Sequence, residues 1–211
     1  MERLQSLLRQ YNLSHEEDFA LAPWSKQYSE DIFPKYWEVV YSILQPLDKR
    51  NKVLEIGCGL GDITAILCYS GFNNIMAFEK DESLCRAAQR RIEEIFGRND
   101  VIHNANYPSN MRYNVDILIL VNCVYADMAK TKQEYLDLLQ KYYISAGSPH
   151  YFIMEVIDTS YTIEDEEFPE YVRLSYEDVK NMFSNYLIHS WATYIYPQNN
   201  KSKTLYLIEK K

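Results

Sequence analysis

Three glycines within five residues, Gly57-Cys-Gly-Leu-Gly61, lie between a short apolar run, Val53-Leu-Glu-Ile56, and a helical stretch from Asp62 to Tyr69. A strand that turns sharply through glycines into a helix is the opening unit of an open α/β sheet. Missing side chains let the backbone bend and let a ligand come close to it. The helix start adds unpaired N–H groups and partial positive charge, which favour anions. Glu79 closes the next apolar run, Asn74 to Phe78, and stands 22 residues after Gly57. A carboxylate at that place can accept both hydroxyl hydrogens of an adenosine ribose.

The remaining pattern extends the same architecture. Leu84, Ala88, Arg91, Ile92 and Ile95 trace one face of a helix that Gly97 ends, and Gly71 is placed to end the helix before it. Strand runs follow at Asp100 to His103, Asp116 to Val121 and Tyr151 to Ile157. Between the last two, Thr131-Lys-Gln-Glu134 caps a helix carrying Tyr135, Leu138, Leu139 and Tyr142 along its face. Strand and helix alternate from residue 52 to 157, which predicts a parallel sheet covered on both sides. The tail breaks this rhythm with an acidic segment, a helix opened by Ser175-Tyr-Glu-Asp178, and two strand-like runs, Ile188 to Tyr196 and Thr204 to Ile208. The turn between those runs, from Pro197, is short enough to permit only antiparallel neighbours. Ahead of the glycines, Ser14-His-Glu-Glu17 fits a capping box, and Phe33, Tyr36, Trp37, Val40 and Leu44 recur at helical spacing until Pro46. The expected fold is therefore α/β and doubly wound, a mostly parallel seven-stranded Rossmann-like sheet with a reversed C-terminal hairpin strand and an N-terminal helical cap. A single domain over 1–211 is expected, divided into a cap (1–48), a cofactor-binding core (49–157), and a lid segment, helix and hairpin (158–211).

Composition narrows the function. A formal charge of −8 disfavours a nucleic-acid surface, which needs clustered Lys and Arg. The longest apolar run, Val115 to Tyr125, contains Asp116 and Asn122 and is far short of the roughly 20 residues that cross a bilayer. Glu2, Arg3 and Arg9 come before any long apolar stretch could form, so no secretory signal is expected. Cys58, Cys68, Cys85 and Cys123 form no C-x-x-C pair, so neither disulfides nor a metal site is expected, and the cytoplasm is the simple location. The 19 tyrosines suit a half-wet pocket, but ordinary strands and packing accommodate them first.

Two ligands compete for the glycine loop. The dinucleotide fingerprint G-x-G-x-x-G would need glycine at 62, where Asp62 stands. Tyr176 and Lys180 match the Tyr-x-x-x-Lys pair of short-chain dehydrogenases, a spacing that 19 tyrosines make common by chance. The segment Val53-Leu-Glu-Ile-Gly-Cys-Gly-Leu-Gly-Asp-Ile-Thr64 instead resembles motif I of class I S-adenosylmethionine-dependent methyltransferases. Met76-Ala-Phe-Glu-Lys-Asp-Glu-Ser83 resembles that family's acidic strand end, Asn104-Ala105 its pair beside the adenine, and Val115-Asp-Ile-Leu-Ile-Leu120 its fourth strand. The hairpin tail is similar to the family's reversed last strand.

The resemblance, over roughly residues 50 to 211, implies S-adenosyl-L-methionine as cofactor. It implies binding through Glu55, Gly57, Cys58, Gly59, Glu79, Lys80, Asn104, Ala105 and Asn122, with Tyr28 reaching over from the cap. Asn104 departs from the family's usual acid, so an amide oxygen or backbone must meet the adenine amino group. Asn122-Cys-Val-Tyr125 carries the Asn and Tyr of the family's Asn-Pro-Pro-Tyr motif but neither proline. Methyl transfer from a sulfonium is an in-line displacement that needs positioning more than a base. Tyr125, Asp127 and Glu155, beyond the carboxyl ends of the fourth strand and at the fifth, are the candidates for catalysis, with Asp158 beside them. His150 and His189 should precede their strands and lie on the far side, while His103 falls near the adenine and His15 nears the site only if the first helices fold over it. The expected reaction is O- or N-methylation of a small-molecule acceptor by a monomer or homodimer. If the acidic stretch from Glu164 to Glu170 is a lid, the acceptor is amine-bearing or cationic; otherwise the stretch is a solvated loop. The alternatives are an NAD(P)-dependent reductase and a non-catalytic partner subunit that binds the same cofactor.

Overall fold

A computed structural model of the 211-residue chain describes residues 1–22, 25, 34–107, 113–123, 129–164, 168–196 and 201–211. The chain divides into two compact units, Met1–Tyr107 and Pro108–Lys211.

The first unit runs α1 (Glu2–Ser14), α2 (Asp18–Leu21), α3 (Lys35–Leu44), β1 (Lys52–Ile56), α4 (Asp62–Tyr69), β2 (Asn74–Glu79), α5 (Glu82–Phe96) and β3 (Ile102–Asn104). Its strands are parallel in the order β3-β2-β1. Ile56 stands opposite Phe78, and Glu79 opposite Asn104. Glu79 thus projects one step past the end of β1, beside the glycine loop. The helix boundaries follow local chemistry. Asp81 caps α5 by accepting from the backbone N–H groups of Ser83 and Leu84, each at 2.9 Å, and Gly97 ends it at φ 68°. The expected stripe of α3 is buried at Tyr36, Trp37, Val40 and Leu44; Phe33 lies outside the described residues.

The capping box expected at Ser14 does not form. Ser14 is the last residue of α1, and its hydroxyl donates back to the Tyr11 carbonyl at 3.1 Å. The next helix opens at Glu17 without a side-chain cap. Asp18 decides the geometry instead. Its carboxylate accepts from the Tyr11 hydroxyl at 2.8 Å and pairs with Arg90 on α5, a contact 72 residues away in the chain.

The second unit contains β4 (Ile117–Leu120), α6 (Lys132–Ser145), β5 (Tyr151–Asp158), a 3-10 turn (Glu170–Val172), β6 (Arg173–Leu174), α7 (Tyr176–Met182), β7 (Tyr186–Tyr196) and β8 (Lys201–Lys210). Strand order is β4-β5-β8-β7, with β8 antiparallel to both neighbours. The reversed hairpin strand is therefore present. β6 is an addition to the seven strands expected: two residues pairing parallel with the end of β5, Ile157 opposite Arg173. Among the described residues no helix lies between β3 and β4, and residues 108–112 fall outside them. His189 lies within β7, not before it, next to Trp191. Both helix starts predicted in this half hold. The Thr131 hydroxyl oxygen accepts from the Glu134 N–H at 3.2 Å, and Ser175 with Asp178 completes a reciprocal capping box. Tyr135, Tyr142, Tyr161 and Tyr206 are fully buried, so in this half much of the tyrosine excess is packing.

The architecture is the α/β, doubly wound, Rossmann-like class, with N-terminal helices ahead of the first strand. No helix among the described residues is long and apolar enough to cross a membrane.

Candidate functional site

The glycine loop is held in place mainly by backbone. Gly57, Gly59 and Gly61 all have positive φ, at 69°, 55° and 76°. The N–H groups of Gly57 and Cys58 both donate to the Phe78 carbonyl, at 2.8 and 3.0 Å, and the Gly61 N–H closes a turn on the Cys58 carbonyl at 2.8 Å. Two acids complete the frame. Glu79 accepts from the Gly59 N–H through Oε2 and from the Asp81 N–H through Oε1, each at 2.9 Å. Beneath the loop, Glu55 is 3% exposed and accepts from the Thr64 hydroxyl at 2.6 Å. Burial pushes its carboxyl up to about 8, assisted by the negative charges of Asp62 and Glu79 and opposed by the Thr64 bond. The Cys58 thiol is buried as well, and burial pushes it far above its ordinary range.

At the end of β3, Asn104 donates through Nδ2 to the carbonyls of Glu79 (3.0 Å) and Lys80 (3.2 Å). Both partners are acceptors, so the amide nitrogen faces them and Oδ1 is turned the other way. The Ala105 N–H donates to the same Glu79 carbonyl at 3.1 Å. A carboxylate offers about four lone-pair positions, and the two backbone bonds of Glu79 leave capacity for a diol. The loop, Glu79 and the Asn104 amide thus lie together at the carboxyl ends of β1, β2 and β3.

Seven of the residues expected at the cofactor, Glu55, Gly57, Cys58, Gly59, Glu79, Lys80 and Asn104, thus come together with Ala105 in the first unit. Glu55 does so from below, through the loop it supports. Tyr28, Tyr125 and Asp127 lie outside the described residues.

In the second unit Asn122 follows β4 with φ 55°, a left-handed conformation uncommon for a residue other than glycine. Its Oδ1 accepts from Lys203 Nζ on β8. Glu155, a candidate for catalysis by sequence, is 1% exposed on β5. Its Oε1 accepts from the Thr193 hydroxyl at 2.7 Å, and its Oε2 stands 3.9 Å from Lys203 Nζ. Burial raises its carboxyl, against the pull of Lys203, Thr193 and the Asn122 N–H. Glu155 is thus enclosed and engaged by its strand neighbours, with Lys203 as its charge partner. Asp158 is likewise engaged, accepting from the Ser160 N–H at 2.8 Å and the Thr204 hydroxyl at 3.1 Å.

Sequence reasoning missed Thr64, Lys203 and Thr193, each brought in from another element. It also missed the pairing of Asp62 with Arg91, at 2.7 Å. Arg91 alone left a signal, a charge within the apolar stripe Leu84, Ala88, Ile92 and Ile95.

Comparisons with known proteins bear on the fold. The model of the protein-L-isoaspartate(D-aspartate) O-methyltransferase family matches residues 10–107, nearly the whole first unit. No curated protein matches the chain. Among solved structures, magnesium protoporphyrin IX methyltransferase from Synechocystis PCC 6803, with bound S-adenosylhomocysteine, superposes at a TM-score of 0.64 and 13% identity, covering 97% of this chain and 99% of that one. TehB from Haemophilus influenzae gives 0.59 and 14%, over 89% of this chain and 66% of its own. The Pyrococcus abyssi tRNA (uracil-54, C5)-methyltransferase gives 0.53 and 17%, over 81% of this chain and 37% of its own. Identities this low speak for a shared fold.

Proposed function

We propose that this chain is a class I S-adenosylmethionine-dependent methyltransferase and that it methylates a small-molecule acceptor at oxygen or nitrogen. The observation that carries the cofactor half is Glu79, whose carboxylate locks the glycine loop through Gly59 and retains acceptor capacity beside Asn104. In this reading Glu79 holds the ribose hydroxyls, and Asn104 Oδ1 with the Ala105 backbone meets the adenine. The positive-φ loop lets the rest of the cofactor approach backbone. Bound there, S-adenosylmethionine supplies a methyl group already activated on a sulfonium. The chain's own task is to orient the acceptor and exclude water.

A groove of about 1150 Å³ beyond the carboxyl end of β5 supports a place for that acceptor; it is lined by Lys132, Thr159, Thr162, Glu164, Glu170 and Arg173. Arg173 shapes its wall by donating to the carbonyls of Tyr161 (2.8 Å), Ile163 (2.6 Å) and Phe168 (2.9 Å). Lys132 is already paired with Asp178 at 2.7 Å, so the remaining charge of the lining, Glu164 and Glu170 against Arg173, favours an amine-bearing or cationic acceptor. A nicotinamide reading loses support at Asp62: the position that reading needs as glycine carries one half of a buried ion pair.

Calorimetry tests the cofactor half. S-adenosylhomocysteine should bind and NADPH should not, and Glu79→Ala should weaken S-adenosylhomocysteine about 100-fold, as expected for losing two charge-assisted hydrogen bonds. The same substitution frees the Gly59 and Asp81 N–H groups, so unfolding should become easier by about 1–3 kcal/mol. Affinity unchanged by Glu79→Ala would remove the ribose role. Labelled methyl transfer across amines, phenols and sugars then tests the acceptor half.

A further inference from the structure

We infer that the buried cluster Ser25–Asp62–Arg91 couples the N-terminal helices to the glycine loop, which makes Arg91 a positioning residue for the cofactor. Asp62 is the first residue of α4, immediately after the loop. Its Oδ1 accepts from the Ser25 hydroxyl at 2.7 Å and from Arg91 Nη1 at 2.7 Å. The same Nη1 reaches the carbonyl of Leu60, inside the loop, at 3.0 Å, and Ser25 Oγ at 3.2 Å. One nitrogen on α5 therefore touches the loop, the helix that follows it, and the N-terminal segment.

Apolar packing joins the same three parts. Tyr11, Phe19 and Ala22 from the N-terminal region form one buried cluster with Leu60 of the loop and Ala87 of α5. The Asp18 carboxylate, held by Tyr11 and Arg90, fixes this region to the next turn of α5. A static packing role explains Arg91 poorly. Its side chain is 1% exposed, and among the described residues Nε and Nη2 have no hydrogen-bond partner. Leucine or methionine would fill that space without an incompletely paired buried charge. What arginine adds is a rigid link to Asp62 and Leu60, where small displacements move the Gly59 and Gly61 backbone.

Coupling is reciprocal: if docking of the N-terminal helices shapes the loop for the cofactor, cofactor binding must tighten that docking. The inference rests on the cofactor reading above, and S-adenosylhomocysteine is the probe. In the wild-type chain it should slow hydrogen exchange in α1 and α2, although neither helix carries a residue placed at the cofactor. Ser25→Ala, which leaves the Arg91–Asp62 pair intact, should weaken S-adenosylhomocysteine about 5- to 10-fold and abolish that protection. Ser25→Thr, which restores the hydroxyl, should return both to near wild type, and Arg91→Lys should weaken binding at least as much as Ser25→Ala. Wild-type binding with no protection of α1 and α2, or Ser25→Ala with unchanged affinity whatever its melting temperature, overturns the coupling and leaves the cofactor reading standing. Absence of S-adenosylhomocysteine binding by the wild type overturns both.

Discussion

Glu55 and Glu79 are two carboxylates about one loop, and their surroundings give them different work. Glu79 is supplied with backbone N–H donors and projects at the strand end, whereas Glu55 is enclosed with a single hydroxyl partner. Burial raises Glu55 to about 8 in the folded chain, from an ordinary value near 4.5. Between those values the folded chain keeps a proton that the unfolded chain releases. Stability must therefore fall as pH rises through that window, at up to about 1.4 kcal/mol per pH unit, and level off above it. Glu55→Gln keeps an oxygen for Thr64 and removes the titration. Urea unfolding at pH 5.5 and pH 8 should show the wild type losing about 3 kcal/mol more than this variant. Parallel pH profiles would contradict a buried, proton-holding Glu55. The sequence placed Glu55 in the glycine motif, but its partner Thr64 and its burial come from the packing of α4 over β1.

The elements show which signals are local. The α6 cap at Thr131 and the α7 box at Ser175 both formed where the sequence put them, because each is complete within four residues. The box at Ser14 failed because Ser14 still belongs to α1, where its hydroxyl donates back to the Tyr11 carbonyl, and Glu17 stands ahead of α2 as an N-cap without a side-chain bond. The loop itself separates backbone preference from packing. At Gly61 an added Cβ would lie 3.4 Å from both Ile92 Cγ1 and Ile102 Cδ1, whereas at Gly59 it would meet nothing within 4 Å. Both substitutions incur the left-handed penalty of about 1–2 kcal/mol. At 3.4 Å the new methyl group of Gly61→Ala meets the two buried isoleucines in ordinary contact. Denaturant titrations should therefore find Gly59→Ala and Gly61→Ala destabilised alike, by about 1–2 kcal/mol each. A clearly larger loss at Gly61 would mean that packing, and not backbone strain alone, limits the loop.

For the whole molecule, a ligand that binds only the folded chain raises its stability by mass action. S-adenosylhomocysteine at 100 times its dissociation constant should add about 2.7 kcal/mol. For a chain of this size that corresponds to a melting temperature higher by roughly 5–10 °C. NADPH at the same concentration should leave the melting curve unchanged, and a flat response to both would remove the cofactor assignment. Glycine spacing, apolar periodicity and short-range caps determined the class of fold, the strand and helix sequence and the turn of the glycine loop, because each depends on neighbours within a few residues. Only the tertiary structure decided that Glu155 answers Lys203, that Arg173 folds the segment after β5 about itself, and that Arg91 reaches Ser25, Leu60 and Asp62. Those partners lie from about ten to more than sixty residues apart in the chain, and a buried charge takes whichever partner the packing brings within reach.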